Sequence, residues 1–424
     1  MRDKRCGWCL GTILIINIIL IFTMTACGNA KTLRTESNSG KSSKSSIGST
    51  ADNKIYGEMK GESGDAAGLT SEDEAESLSA GLTYTGRDEN LYAQNFAIDR
   101  YEDGSRLLSV ANGDRYLVTT KDKGDIADIP EDVTVLKEPV DNIYLVSTAS
   151  MDYFVKLNEL SKLSFASLRS EDWTINEAAE ALKNEDIIYA GRYSEPDYEL
   201  LAMGGCKLAI ENTMIYHSPE VLDKLHDLGI ATMIEYSSYE EHPLGRLEWI
   251  RFYGALTGVD QKAGEIFKRE CRLLDDMDTE GIGDKSVAFF YFTQSGTVNV
   301  RVSDDYVPKM IELAGGKYAF PDIITEGKKS SIDMTLEEFV SAGSDADVLI
   351  YNSTIDGELN GIDELLDKNS TLAGFKAVKN GEVYCTTISL YQRPMGCADL
   401  IKEFNTILKG EYKDGEGEFI YKLR

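Results

Sequence analysis

Two distant stretches of the chain each place a glutamate a short way ahead of a short apolar strand. Glu199 lies in "EPDYELLAMGGCKLAI", and Glu337 lies in "DMTLEEFVSAGSDADVLI", where Glu338 is an adjacent competitor. A carboxylate accepts paired hydrogen bonds from a guanidinium group, so each glutamate has the chemistry to bind an arginine. An exposed glutamate at a helix start also complements the helix dipole, and this purely local role stays open.

The residue patterns of common enzymes and metal sites are scarce in this chain. The histidines number three, His217, His226 and His242, and no nucleophile elbow, phosphate loop or HExxH pattern accompanies them. A site for a bare zinc or manganese ion needs several histidines and carboxylates that converge. We therefore expect no enzyme activity, no cofactor and no direct metal site, although a catalytic triad built from distant residues leaves no local pattern.

The first residues resemble a secretion signal rather than part of a fold. "MRDKRCGWC" is short and basic, an apolar stretch follows, and "MTACG" resembles a bacterial lipobox. On that resemblance residues 1–26 are a signal peptide and Cys27 becomes the lipidated first residue. The alternative is an uncleaved N-terminal anchor. Either reading predicts an extracytoplasmic protein attached to the bacterial cell membrane.

Composition divides the remaining chain and excludes some partners. Residues 27–84 are rich in Ser, Gly, Lys, Glu and Asp, which predicts a disordered tether. A formal charge of -28 disfavours nucleic acid as a partner. Four cysteines remain beyond the signal and the anchor, namely Cys206, Cys271, Cys385 and Cys397. They read as free buried thiols, with a Cys385–Cys397 disulfide as the alternative.

The order of elements predicts an α/β protein. Turn signals between apolar runs predict a small antiparallel meander from about residue 85, and strand–helix alternation from Val140 predicts parallel sheets. We expect two Rossmann-like lobes with parallel central sheets, joined by one long backbone helix and preceded by the meander. The boundaries are 85–259 for the N-terminal lobe, 260–282 for the linking helix and 283–424 for the C-terminal lobe.

Several stretches resemble the class III, helical-backbone substrate-binding proteins of ABC importers for siderophores, haem and cobalamin. They are "DIIYAGRYSEPDYELLAMGGCKLAIENTMIYHSPEVLDKLHDLGIATMIE", "VNVRVSDDYVPKMIELAGGKYAF" and "TLEEFVSAGSDADVLIYN". The resemblance covers roughly residues 85–424. It implies a rigid linking helix and one docking glutamate on each lobe for arginine pockets of a permease dimer, and Glu199 and Glu337 match these two positions.

The ligand is expected between the lobes, at the carboxyl ends of the parallel strands. The candidate ligand-binding residues are Thr148, Arg192, Tyr193, Asn212, Thr213, Tyr236, Ser237, Arg246, Gln294, Tyr391 and Arg393. Tyrosine and arginine suit a large anionic or aromatic ligand. Arg246 has a second interpretation, a surface pair with Glu240, Glu241 or Glu248.

These observations predict a monomeric solute-binding lipoprotein that delivers a ferric siderophore or related metal chelate to an ABC permease. Cobalamin or haem is the alternative ligand. A secreted two-lobed enzyme and a surface adhesion lipoprotein are the alternatives from other classes.

Overall fold

The computed structural model describes residues 69–78, 81–325 and 329–424. The predicted signal peptide, Cys27 and most of the predicted tether lie outside these residues. The described residues all belong to one compact unit. Among them, no helix is both long enough and apolar enough to cross a membrane.

The first described region is a helix packed on a five-stranded sheet. Its elements are α1 (Glu72–Glu76), β1 (Tyr84–Arg87), β2 (Phe96–Tyr101), β3 (Arg106–Val110), β4 (Arg115–Thr119) and β5 (Val133–Lys137). Strands β1 to β4 pair antiparallel as predicted, whereas β5 pairs parallel to β4. The order in space is β1-β2-β3-β4-β5.

The predicted tether boundary at residue 84 is too late. Residues 71 to 76 form a capping box and α1, in which the Ser71 hydroxyl accepts from the backbone N–H of Glu74. Ala75 and Leu78 are buried against Tyr101 and Leu107 of the sheet. Composition alone missed this short apolar contact because polar residues dominate the stretch around it.

The N-terminal lobe is built on a five-stranded parallel sheet whose strands alternate with helices along the chain. Its elements are β6 (Ile143–Leu145), α2 (Ser150–Leu157), β7 (Leu163–Ala166), α3 (Asn176–Lys183), β8 (Ile188–Tyr189), β9 (Gly191–Arg192), β10 (Glu195–Pro196), α4 (Tyr198–Met203), β11 (Leu208–Glu211), α5 (Pro219–Asp227) and β12 (Ala231–Ile234). The sheet order is β12-β11-β6-β7-β8. Successive strands run outward from β6 on one side and from β11 on the other, so the topological switch point lies between β6 and β11.

Two antiparallel-packed helices follow, α6 (Pro243–Thr257) and α7 (Asp260–Asp275). Pro243 begins α6, and Gly258 ends it in the left-handed conformation at φ 79°. Helix α6 is buried on nearly all sides because it contacts the meander, α2, α7 and the C-terminal lobe. The linking helix predicted over residues 260–282 corresponds to α7, which ends at Asp275.

The C-terminal lobe has a mixed sheet. Its elements are β13 (Ser286–Phe292), β14 (Val298–Arg301), α8 (Tyr306–Leu313), β15 (Lys317–Tyr318), β16 (Ser331–Met334), α9 (Leu336–Gly343), β17 (Val348–Tyr351), α10 (Ile362–Lys368), α11 (Lys376–Asn380), β18 (Val383–Thr386), α12 (Cys397–Lys409) and β19 (Ile420–Lys422). The order along the sheet is β16-β14-β13-β17-β18-β19, with β15 beside β13. Strands β13, β15, β17 and β18 are parallel, whereas β14, β16 and β19 add antiparallel edges.

The described cysteines are free thiols. Cys206, Cys385 and Cys397 are buried, and Cys271 is half-buried. The interpretation as free thiols is therefore confirmed for this structure, and the alternative Cys385–Cys397 disulfide is absent from it.

Candidate functional site: the junction between the lobes

The carboxyl ends of β6 and β11 form a polar edge at the switch point. Thr148 follows β6, and Asn212 and Thr213 follow β11. The N–H groups of Val146 and Ser147 both donate to the Ile210 carbonyl, at 2.9 and 3.0 Å, which holds the two chain exits together. Three of the predicted ligand residues therefore lie side by side where doubly wound sheets bind their ligands.

A group of tyrosines continues this edge at the end of β12. The predicted Tyr236 shares a 2.7 Å hydrogen bond between hydroxyls with Tyr216, and its ring centroid lies 5.3 Å from that of Tyr239. The hydroxyls of Tyr239 and Thr213 are 3.2 Å apart. Sequence reasoning missed Tyr216 and Tyr239, although each stands a few residues past a predicted strand, which was the available signal.

Two buried carboxyl groups lie beneath this edge. Glu235 accepts from the N–H of Ser237 at 2.6 Å and from the Ser147 hydroxyl at 3.3 Å. Glu211 is fully buried, and neither of its carboxyl oxygens has a hydrogen-bond partner in the described part of the chain. Burial raises the pKa of Glu235, and it raises the pKa of Glu211 to about 8, so Glu211 is a neutral acid at pH 7.

Arg246 lies in the junction between the lobes, on the first turns of α6. Its guanidinium carbon sits 4.1 Å from the ring centroid of Tyr306 in the C-terminal lobe, and only 8% of the residue is exposed. Tyr306 also lies beside Arg301, whose side chain is 3.8 Å from Asp305. The junction cluster is Arg246, Arg301, Asp305 and Tyr306.

The predicted surface pair between Arg246 and a neighbouring glutamate is wrong for two of the three candidates. Glu248 accepts the backbone N–H groups of residues 91 to 93, and Glu240 accepts those of residues 94 and 95. Both carboxylates are thereby committed to the loop between β1 and β2. The third, Glu241, is exposed, whereas Arg246 is buried toward the other lobe.

A short segment of the C-terminal lobe, residues 392–395, is hydrogen-bonded to the N-terminal lobe, and we call it the strap. The buried Gln392 accepts from the backbone N–H and hydroxyl of Thr174 and donates to the Asp172 carbonyl, at 2.7 to 2.9 Å. The N–H of Met395 donates to Asp152 at 2.9 Å, and burial raises the pKa of Asp152 to about 6.

The predicted residues Tyr391 and Arg393 flank Gln392 of the strap. The Tyr391 hydroxyl accepts from the Gln392 amide at 3.1 Å, and Arg393 pairs with Glu418.

The remaining predicted ligand residues, Arg192, Tyr193 and Gln294, lie away from the strap. Arg192 and Tyr193 belong to the small β9–β10 hairpin, where Arg192 pairs with Glu195 at 3.2 Å on the surface, and Gln294 is exposed in the β13–β14 turn.

The two glutamates expected to dock on a partner are both exposed. Glu199 is the second residue of α4, and Glu337 is the second residue of α9. Neither makes a hydrogen bond or ion pair with the residues that the structure describes. Glu338 instead accepts from the backbone N–H and hydroxyl of Thr335, both at 2.8 Å, and so closes the N-terminus of its own helix.

The histidines do not come together. His217 is exposed, His226 bonds Thr232 at 2.8 Å, and His242 stacks on Tyr92 with centroids 4.7 Å apart. Within the described ranges, no group of three histidine, cysteine or acidic side chains is placed to hold a metal ion.

Comparison with solved structures places this architecture among known ones. A periplasmic heme-binding protein of Vibrio cholerae superposes with a TM-score of 0.52 at 17% identity, covering 63% of this chain and 98% of its own. The fold is that of the periplasmic binding proteins. A petrobactin-binding protein of Bacillus subtilis gives a TM-score of 0.51 at 15% identity, covering 64% of this chain and 92% of its own.

Sequence comparison adds a relative of comparable length. An uncharacterized lipoprotein of Methanocaldococcus jannaschii is 24% identical in an alignment 363 residues long that covers 78% of this chain and 84% of the relative. No protein-family model matches the chain.

Proposed function

We propose that this protein is a lipid-anchored, extracytoplasmic solute-binding protein that takes up a ferric siderophore or a related metal chelate between its lobes and delivers it to an ABC permease. The observation that carries this proposal is the pair of exposed glutamates, one per lobe, at matching positions of α4 and α9. Fold-sharing proteins that bind heme and petrobactin support it, as does the name lipoprotein of the archaeal relative.

The junction offers the chemistry that such a ligand needs. Hydroxyls and amides line the switch-point edge, and a cation lies in the junction cluster. The strap joins the lobes with hydrogen bonds that are already formed, which favours a largely pre-formed site with small lobe motion. Binding would then cost little conformational entropy.

Fluorescence titration tests the proposal directly. Trp173 is buried next to Asp172, whose carbonyl accepts from Gln392, so its emission reports on the junction. Purified protein is titrated with ferric catecholate and ferric hydroxamate chelates, heme and cobalamin. We expect saturable quenching by at least one ferric chelate. Absence of quenching and of any thermal shift with all of them would refute the proposal.

Heme is the second candidate ligand, because of the tyrosine group. Tyr216, Tyr236 and Tyr239 provide aromatic surface and phenol oxygens close to one another. A planar macrocycle stacks on such rings, and a phenolate is an oxygen ligand for iron. A shifted Soret band that is lost on Tyr236→Phe together with Tyr216→Phe would favour heme over a siderophore.

A further inference from the structure

A cavity of about 370 Å³ opens on the surface of the C-terminal lobe, and we call it the α9 groove. Three parts of the lobe enclose it: the chain over residues 319–323, the edge strand β16, and one face of α9. Its apolar lining includes Phe320, Ile323, Ile332, Met334 and Ala342. The groove therefore exposes an apolar surface well away from the junction between the lobes.

The floor of the α9 groove is fixed by the core of the C-terminal lobe. The ring centroid of Phe320 lies 5.7 Å from that of Phe339, which stacks on Phe375 at 5.5 Å. A Cβ at Gly343 would lie 3.2 Å from the Phe320 ring, so this ring and α9 are in close contact. An apolar side chain that enters the groove finds a floor already in place, which lowers the entropic cost of binding.

The mouth of the α9 groove is acidic. Asp322 and Asp333 are exposed, and neither forms an ion pair with the residues that the structure describes. One oxygen of Asp333 accepts from the Asn299 amide at 2.7 Å, and the other stays available. Glu338 also lines the groove, but its carboxylate is bound to Thr335. The groove thus combines an apolar floor with two carboxylates that can pair with a cation.

The α9 groove begins beside one of the two glutamates expected to dock on a partner. Glu337 directly precedes Glu338, and Ala342 follows Glu338 by one helical turn on the groove face of α9. A partner that binds the Glu337 carboxylate therefore reaches the groove within about one turn of the helix.

We propose that the α9 groove binds a segment of the permease that carries an apolar side chain next to a lysine or arginine. The proposal rests on the proposed function, because it extends the contact of Glu337 with the same partner. The apolar side chain would lie over Phe320 and Met334, and the cation would pair with Asp322 or Asp333. An apolar anchor in a pocket with charges at its rim is the usual division of roles in protein interfaces.

Variants that block the groove test this contact in cells. Ala342→Trp fills the groove from an exposed position, and Asp322→Lys together with Asp333→Lys reverses the charge at its mouth. We expect each to lower uptake of the chelate that wild type binds by about tenfold or more, with chelate affinity within about twofold of wild type. The exposed Ala373→Trp and Asp363→Lys, on the same lobe, are the matched controls.

Normal uptake by Ala342→Trp or by the charge-reversed variant would overturn the proposal. An equal loss of uptake in the controls would overturn it too. Both results leave the docking role of Glu337 and the proposed function standing, because those are measured by other variants and by chelate titration.

A peptide probe examines the α9 groove without relying on uptake. Purified protein with labelled isoleucine and methionine methyl groups is titrated with a short peptide of alternating lysine and leucine. The comparison peptides replace leucine by alanine or lysine by glutamate. We expect the methyl signals of Ile332 and Met334 to shift saturably with the lysine–leucine peptide alone, and not in Ala342→Trp. Signals that do not shift would overturn the proposal.

The same methyl signals separate two other occupants. If they change with protein concentration, the groove binds a second copy of this chain. If they change on Ile55→Asp together with Tyr56→Asp, it binds the basic, apolar run at residues 54–60 of this chain. Either result would overturn the proposal.

Failure of the proposed function has a different outcome. If wild type binds none of the chelates, the proposed function falls, and the peptide titration alone judges the groove. A saturable shift would still support a site for a basic, apolar segment, and no shift would overturn that site as well.

Discussion

Glu199 and Glu337 occupy the same helical position in the two lobes. Each is the second residue of a helix whose N-cap side chain, Asp197 or Thr335, accepts a backbone N–H of the first turn. Each helix then leads into a buried strand, β11 or β17. Each cap side chain satisfies one backbone N–H of its first turn, and neither glutamate accepts a hydrogen bond from the described residues, so both carboxylates stay exposed.

The first prediction concerns these two residues. Glu199→Ala combined with Glu337→Ala should leave ligand affinity within twofold and abolish uptake in cells, because the carboxylates lie on exposed helix starts and not in the junction. Ligand titration and uptake of a labelled chelate measure the two effects. Glu338→Ala is the matched control, since it removes a neighbouring carboxylate that is bound to Thr335. Normal uptake by the double variant would refute the docking role.

The second prediction concerns the pH dependence set by Glu211. Its pKa rises from 4.5 in the unfolded chain to about 8 in the folded protein because it is buried without partners. Between pH 4.5 and about pH 8 the Glu211 carboxyl group is protonated in the folded state and ionised in the unfolded state. The contribution of Glu211 to the unfolding free energy is therefore full below pH 4.5 and falls by about 1.4 kcal/mol per pH unit up to pH 8. Glu211→Gln should therefore become more stable than wild type as the pH rises.

Urea unfolding at pH 5, 7 and 9 checks this difference between Glu211→Gln and wild type. The exposed Glu220→Gln on α5 is the control and should show no such trend. A difference in unfolding free energy that does not change with pH would contradict the neutral state of Glu211.

The third prediction concerns the strap. Gln392→Ala removes hydrogen bonds to Thr174 and Asp172 and leaves their partly buried groups unpaired, which should cost about 1 kcal/mol or more of unfolding free energy. Ligand should also dissociate faster, because the lobes are held less firmly. Urea unfolding and stopped-flow release measure the two effects. The control is Gln294→Ala, in an exposed turn, which should change neither the unfolding free energy nor the rate of ligand dissociation. A loss of similar size in this control would show that the effects do not come from the strap.

The fourth prediction concerns the attachment of the meander to α6. Glu248 accepts three consecutive N–H groups from Leu91, Tyr92 and Ala93 at 2.8 to 3.1 Å. A glutamine has one acceptor oxygen and turns its amide donors toward the same N–H groups, so Glu248→Gln should speed amide hydrogen exchange at these residues at least tenfold, from a loss of about 1.4 kcal/mol or more. Exchange that stays slow would contradict the arrangement, and Glu241→Gln is the exposed control.

The fifth prediction concerns the contact between α6 and α7. A Cβ at Gly254 would lie 2.3 Å from the Cβ of Ala263, so the helices approach closely only because residue 254 is a glycine. Gly254→Ala should lower the unfolding free energy by about 1–3 kcal/mol through overpacking. Adding Ala263→Gly should restore most of the stability, because it exchanges the two residue types. A double variant no more stable than Gly254→Ala would show that the contact is not the cause.

Local sequence patterns were sufficient to predict the order of the helices and strands. Gly and Pro punctuation and the alternation of apolar strands with amphipathic helices predicted both α/β lobes, the meander turns and the helix starting at Pro219. These patterns act within a few residues, so they are readable without tertiary contacts. The positions of Glu199 and Glu337 at helix starts were readable for the same reason.

The tertiary structure alone decided which side chains meet across long chain separations. The sequence left Arg246 open between a ligand contact in the cleft and a surface pair with a glutamate. In the structure Glu240 and Glu248 bind a loop about 150 residues earlier, and Arg246 turns to Tyr306 of the other lobe. Gln392 gave no sequence signal and yet joins the lobes at Thr174. Pairings of this kind depend on how the two lobes pack. A local sequence pattern cannot show the hydrogen-bond partner of a polar side chain when that partner lies about 200 residues away in the chain.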